Sequence, residues 1–303
     1  MKTMRALGVL LVGTLLGFGV GCGSKSSVTI EEACTSVAAS ACAKINTCFS
    51  FIVTSLYGDA ATCQTRAKLG CVQTGIPAGS ATTPDDVQSC GDAYAGLSCN
   101  DAISHSPPNA CRSKAGSVVN GAACSDDAQC ASTHCAKTSD CGICAAVAAA
   151  GGTCATENDC DYGLICNQSK VCVAPAAAGA ACAATGECAS PLICSGQKCS
   201  AAVAVGGVCD KTMQNCDSRQ GLYCNTQNVC VAITFAGPGE ACGIVGMAFV
   251  GCKASGQCKT SGAMGTCVAP AADGAACDTD TPCLAPAKCT SGICKLSNPA
   301  SCG

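Results

Sequence analysis

The chain has 303 residues, 35 of them cysteine and none tryptophan, with 17 basic against 20 acidic side chains. Cysteine at that density is the composition of a disulfide scaffold, held in shape by cross-links because its segments are too small to bury an adequate core. The mildly acidic balance excludes the electrostatic footprint of a nucleic-acid-binding protein, and no patch for anionic lipid is expected.

Residues 1–22 read as an export signal. Lys2 and Arg5 precede an uncharged, mostly apolar stretch, Ala6 to Val20, too short for an ordinary spanning helix. The stretch ends at Gly21-Cys22-Gly23-Ser24, which resembles the lipobox of bacterial lipoproteins, although Gly19 stands where that family usually carries Leu. The resemblance implies a lipid on Cys22, which becomes the new N-terminus, and a protein held at the outer membrane or cell surface. Plain secretion and an uncleaved anchor are the alternatives. Parity points the same way: setting Cys22 aside leaves 35 − 1 = 34 cysteines, an even number. No second apolar stretch is long enough to span a bilayer, so membrane contact is expected through the N-terminal lipid only.

Residues 23–29 form a short polar tether, and residues 30–111 carry eight cysteines at long, irregular spacings. Ile30 to Thr47 and Asp59 to Gln73 have helical composition. Thr83-Pro84-Asp85-Asp86 is a helix start, with an N-cap hydroxyl, proline at the first helical position and acids against the dipole. The region is expected to be a small helical domain stapled by four disulfides. Cys48-Phe49-Ser50-Phe51-Ile52-Val53 alternates like a half-buried strand, or fills a corner between helices.

Residues 112–120 are a linker. From 121 to 302 the chain is a repeat of six cysteine-rich modules, starting near 121, 151, 179, 206, 239 and 274, each opening with Gly-x-x-Cys. Cys154, Cys160, Cys166 and Cys172 show the spacing intact. The second half of each module reads as a short β-hairpin: Leu164-Ile165-Cys166 and Val171-Cys172 flank a polar turn. Four cysteines allow three pairings. First with third and second with fourth is the one expected, because it interlocks the opening loop with both hairpin strands. Modules one and six hold five cysteines each, leaving Cys144 and Cys302 over, with Cys302 expected to be exposed. Joints such as Val173-Ala174-Pro175-Ala176 read as semi-rigid spacers, so the fold class is a small disulfide-rich protein: a helical domain followed by an extended array, an arm reaching on the order of 100 Å.

Cys124-Ser125-Asp126-Asp127-Ala128-Gln129-Cys130, continuing to Cys135, Cys141 and Cys144, resembles the N-terminal cysteine-rich region of Dickkopf proteins, and the whole array looks like relaxed copies of it. The chain as a whole resembles cysteine-rich lipoproteins of predatory or soil-dwelling proteobacteria. Dickkopf proteins are secreted, non-catalytic receptor antagonists, so the resemblance implies an extracellular binding role and no enzymatic one.

Other chemistry is weaker. Cys141-Gly142-Ile143-Cys144 after His134-Cys135 has zinc-knuckle spacing, but structural disulfides are expected in an exported chain, with no metal and no cofactor. His105 reads as a solvated loop residue. Asp126-Asp127 and Asp278-Thr279-Asp280 lack the alternating ligands of a calcium loop. The irregularity with functional content lies in module five. Nine residues replace the usual five between Cys242 and Cys252, and Ile244, Val245, Met247, Phe249 and Val250 make the insert apolar. It is a candidate partner contact; folding back onto a hairpin or a neighbouring module is the competing reading. The expected function is non-enzymatic extracellular recognition, adhesion or display toward an unknown protein or surface ligand. An extracellular inhibitor or antagonist, for instance of proteases, is the alternative.

Overall fold

The computed structural model describes residues 28–103, 106–137 and 140–296, together with 298 and 302. The signal segment, Cys22, most of the tether and His105 lie outside the described residues.

Four helices form the N-terminal domain: α1 (Ile30–Cys48), α2 (Ser50–Tyr57), α3 (Ala60–Thr74) and α4 (Pro84–Ala95). Three of them start on side-chain caps. Thr29 and Glu32 exchange hydrogen bonds with each other's backbone N–H at the start of α1, and Thr83 and Asp86 do the same at α4. Asp59 accepts from the Thr62 N–H at 2.7 Å to open α3. The run from Cys48 to Val53 is a corner, not a strand. Phe49, at φ −146° and ψ 57°, interrupts the helix, and α2 leaves at 119° to α1. Phe49 and Val53 are buried, Val53 beside the Cys42–Cys63 disulfide. Six alternating residues fit either period, and packing inside a helical domain decides between them. Cys34–Cys71, Cys48–Cys99 and Cys90–Cys111 complete the four staples. Gly91 lets α4 approach α1 closely, since a Cβ there would lie 2.9 Å from Val37 Cα.

The modules follow. Module one pairs β1 (Ala123–Cys124), β2 (Cys135–Lys137) and β3 (Gly142–Cys144) in the order β1-β3-β2. Modules two to four each hold one antiparallel hairpin: β4 (Ile165–Cys166) with β5 (Cys172–Val173), β6 (Ile193–Ser195) with β7 (Lys198–Ser200), and β8 (Leu222–Cys224) with β9 (Cys230–Ala232). Module five is a five-stranded sheet of β10 (Thr234–Ala236), β11 (Ala241–Val245), β12 (Ala248–Cys252), β13 (Gln257–Thr260) and β14 (Met264–Val268), ordered β10-β12-β11-β14-β13. Module six ends in β15 (Lys288–Thr290) and β16 (Ile293–Lys295).

One backbone device opens every module. The glycines Gly121, Gly151, Gly179, Gly206, Gly239 and Gly274 have φ between 79° and 89°, the third position of a tight turn, with open space where a Cβ would stand. Their repetition reflects conformation, not crowding. Each glycine N–H donates to the carbonyl of the half-cystine closing its module, at 2.7–2.8 Å, and that half-cystine's N–H returns to the residue after the glycine at 2.8–2.9 Å. In modules two to six the first cysteine bonds the third and the second the fourth, as the interlocking argument expects.

Module one corrects the cysteine left over. Cys144 faces Cys135 across β2 and β3, where later modules set their fourth half-cystine opposite their third, and it bonds Cys130. The extra residue is Cys141, and it pairs with Cys302 across 161 positions. Cys302 is half-buried in this bond and not exposed.

The modules are the short hairpin units expected, but they curl around the helices instead of reaching away as an arm. Gln129 donates to the Ala78 carbonyl from module one, and Arg112, just past the helical domain, lies 4.8 Å over the Tyr162 ring of module two. Ser190 of module three contacts Asn100, and Gln220 of module four donates to the Cys48 carbonyl at 3.1 Å. From module five the N–H of Ala254 bonds the Thr54 carbonyl and the Ser255 hydroxyl bonds that of Leu56. Module six is held by Arg66, whose guanidinium forks onto Asp273 at 2.6 and 2.7 Å and also donates to the carbonyls of Leu284 and Ala285. The joints are not spacers either. Ala148, Ala176, Val203 and Ala271 each form a parallel bridge to the second half-cystine of the next module, so the joint is part of that module's fold.

Two outcomes check this arrangement. Scattering from the oxidised mature chain should give a radius of gyration near the compact expectation of about 19 Å, where an arm would give a much larger one. The Asp273 carboxyl is held below its ordinary value by the Arg66 hydrogen bonds, against some desolvation. A depressed carboxylate contributes stability above its unfolded pKa and loses it as pH falls through the folded one. Amide exchange at Ala271 and Leu284 should therefore stay slow from neutral pH down to about pH 4 and quicken below it. Arg66→Ala, which strands two carbonyls and a carboxylate, should speed it at neutral pH by an opening of roughly 1–3 kcal/mol.

Candidate interaction surface

The insert of module five is built into the sheet. Ile244 and Phe249 face each other across β11 and β12, Val245 pairs with Ala248, and Gly246-Met247 makes the turn. Gly243, at φ +87°, kinks β11 where it meets β14, and a Cβ there would fall 2.6 Å from the Ala263 carbonyl. One edge leans on module four: the Phe249 N–H donates to the Tyr223 hydroxyl at 2.7 Å, and the two rings meet edge to face at 6.1 Å. Folding back therefore accounts for part of the insert. Val245 and Val250 are half-buried, Val250 against the Ala236, Cys242, Cys252 and Cys267 cluster. Ile244 (55%), Met247 (71%) and Phe249 (44%) remain exposed.

Met264 joins them at 53% exposure. Sequence reading passes it over because it is a lone methionine in a Gly- and Ser-rich loop. The register sets it opposite Gly243, and the Ile244 N–H bonds the Ala263 carbonyl at 2.9 Å, so the two hairpin turns lie side by side.

The other candidates resolve into architecture. Cys135, Cys141 and Cys144 are all in disulfides and offer no thiolate to zinc. His134 is buried between modules one and two, with Nε2 at 3.2 Å from Asp159 and Nδ1 at 3.8 Å from Asp127, so it bridges the two modules. Burial pushes the Asp127 carboxyl up, against the Cys135 N–H it accepts. At Asp159 burial also acts upward, but the N–H groups of Thr156 and Ala155 outweigh it and the carboxyl is held low. Asp278 accepts from the N–H groups of Asp280 and Thr281, closing a turn of its own loop.

A repeated feature escapes the cysteine-spacing argument. The residue before the second cysteine is Gln129, Asp159, Glu187 or Asn215 in modules one to four, and each accepts N–H groups from the loop after the first cysteine. The signal was present as an acid or amide at a fixed offset, and its role shows only once the loop folds over it. Cys22 and His105 lie outside the described residues. Comparison with protein families, with curated proteins and with solved structures returns no match.

Replacing Asp159 by Ala should free the Ala155 and Thr156 amides and lose the bridge to His134, costing module two about 1–2 kcal/mol. Faster amide exchange confined to residues 155–161, with all disulfides intact, is the expected reading.

Proposed function

We propose that this chain is an exported, non-enzymatic recognition protein of the cell surface, anchored by a lipid on Cys22 and binding its target through module five. Seventeen disulfides are typical of exported or extracellular proteins. They use 34 cysteines, so the thirty-fifth, Cys22, is the one available for acylation. The resemblance of the modules to the Dickkopf cysteine-rich region favours binding over catalysis. The observation that carries the reading is in module five: four large apolar side chains stand at the surface of a sheet locked by Cys242–Cys258 and Cys252–Cys267. Exposed apolar surface on a rigid frame marks a contact site, and little ordering entropy is lost when it binds.

The inhibitor reading has one observation in its favour, the protruding Met247 turn braced by the same two disulfides. Stoichiometric, Met247-dependent block of a protease would establish it.

Two measurements test the main reading. Intact mass of the protein from native membranes should fit a chain beginning at an acylated Cys22. A photo-reactive residue at position 247 should form a discrete adduct on intact cells, and one at the exposed Val208 of module four should not. Equal labelling at both positions would remove module five from the proposal.

A further inference from the structure

We propose that Cys141–Cys302 is a redox latch, a disulfide that an external dithiol opens while the other sixteen stay closed, loosening module six from the ring. The inference is independent of what module five binds. Twelve of the seventeen bonds are the crossed pairs of the six modules and four staple the helical domain, which leaves this one as the covalent tie between modules. Its half-cystines stand 161 positions apart, and no other bond spans more than 51.

Access sets it apart as well. A thiolate that attacks one sulfur expels the other as a thiolate, and expulsion into a buried site is disfavoured. Every crossed-pair bond has at least one buried half-cystine, and so do Cys34–Cys71, Cys42–Cys63 and Cys48–Cys99. Cys141 and Cys302 are both partly exposed, and Cys302 lines a cleft of 350 Å³ with Gln73, Ser125, Gln129 and Asn298. Either sulfur can therefore receive the attack and either can leave.

Cys90–Cys111 is also partly exposed at both ends. Its cysteines lie 21 positions apart within the helical domain, so the freed thiolate stays beside the mixed disulfide and closes it again. Cys141 and Cys302 are brought together by modules that reach the helices separately, module one through Gln129 to Ala78 and module six through Arg66 to Asp273, Leu284 and Ala285. Lys288 and Asp140 also join the two modules at 3.1 Å, an exposed ion pair that water keeps weak. Contacts of this kind open and close without unfolding either module. In the exchange one thiolate of the dithiol attacks Cys302 Sγ, the S–S bond breaks, and Cys141 leaves as a thiolate that takes up a proton. The second thiol then attacks the mixed disulfide, so the dithiol is oxidised by two electrons and Cys302 is released as a thiol. Module six is afterwards held by non-covalent contacts and leaves the helices more often.

The test uses the mature oxidised chain with Cys22→Ser, so that no other thiol is free and the outcome is independent of processing at Cys22. Graded dithiothreitol, followed by alkylation and peptide mapping, should label Cys141 and Cys302 first, roughly ten-fold or more ahead of the crossed pairs, whose buried leaving sulfurs need local opening. In that partly reduced protein, amide exchange at Ala271 and Leu284 should quicken several-fold, while exchange inside modules two to four stays as it was. Cys141→Ser/Cys302→Ser should show the same faster exchange without any reductant, and the dithiothreitol that opens the parent should not quicken it further. First labels at Cys90 and Cys111, or within a crossed pair, overturn the proposal. So does opening of Cys141–Cys302 that leaves exchange at Ala271 and Leu284 unchanged, and so does a double variant whose module six exchanges as slowly as the oxidised parent's.

Discussion

The crossed pair of disulfides inside each module is the constraint on which the rest of the structure depends. A module of about 30 residues cannot exclude enough apolar surface to offset its chain entropy. The half-cystines themselves take the place of a core: Cys130, Cys144, Cys172, Cys199, Cys230, Cys242 and Cys294 are almost fully buried, and few larger side chains join them. Because the third and fourth half-cystines face each other on a hairpin and each bonds back to the opening loop, loop and hairpin cannot separate. The glycine turn and its two backbone hydrogen bonds then fix the direction in which the chain enters.

Modules made this way have little apolar surface to offer one another, so their assembly uses other means. Contacts to the helices are largely polar and often to main-chain carbonyls: Gln129 to Ala78, Gln220 to Cys48, Ala254 to Thr54, Arg66 to Leu284 and Ala285. Each is modest by itself. Six modules joined by folded joints act together, and the Cys141–Cys302 bond closes the loop covalently. Holding both ends of the array limits what can be gained by any one module leaving the helical domain. Poverty in large apolar side chains argues against a shared core but does not imply an arm, because a central helical domain can organise modules that share no core.

Module five departs from its neighbours on the same physical terms. Its nine-residue spacer is long enough to form a strand pair, so the insert extends the sheet instead of looping. A sheet has two faces and a module has one disulfide cluster, so part of the added apolar surface goes inward with Val250 and part stays outside with Ile244 and Met247.

The sequence by itself determined the local units: the helix start at Thr83 follows from its cap and proline, the helices near Ile30 and Asp59 follow from composition, and the module boundaries follow from glycine and cysteine spacing. Local hydrogen bonds and short covalent loops depend on residues a few positions apart, and spacing reports them directly. The crossed pairing was legible for the same reason. The tertiary structure alone decided what depends on distant residues. Cys141, not Cys144, is left for Cys302 because strand register sets Cys144 opposite Cys135. Phe49 turns a corner because helices surround it. His134 bridges two carboxylates, and Met264 joins Ile244 and Met247, only because folding brings separate loops together. Spacing carries no information on how modules dock, since docking depends on which carbonyls and side chains meet across gaps as long as the 219 positions between Arg66 and Ala285.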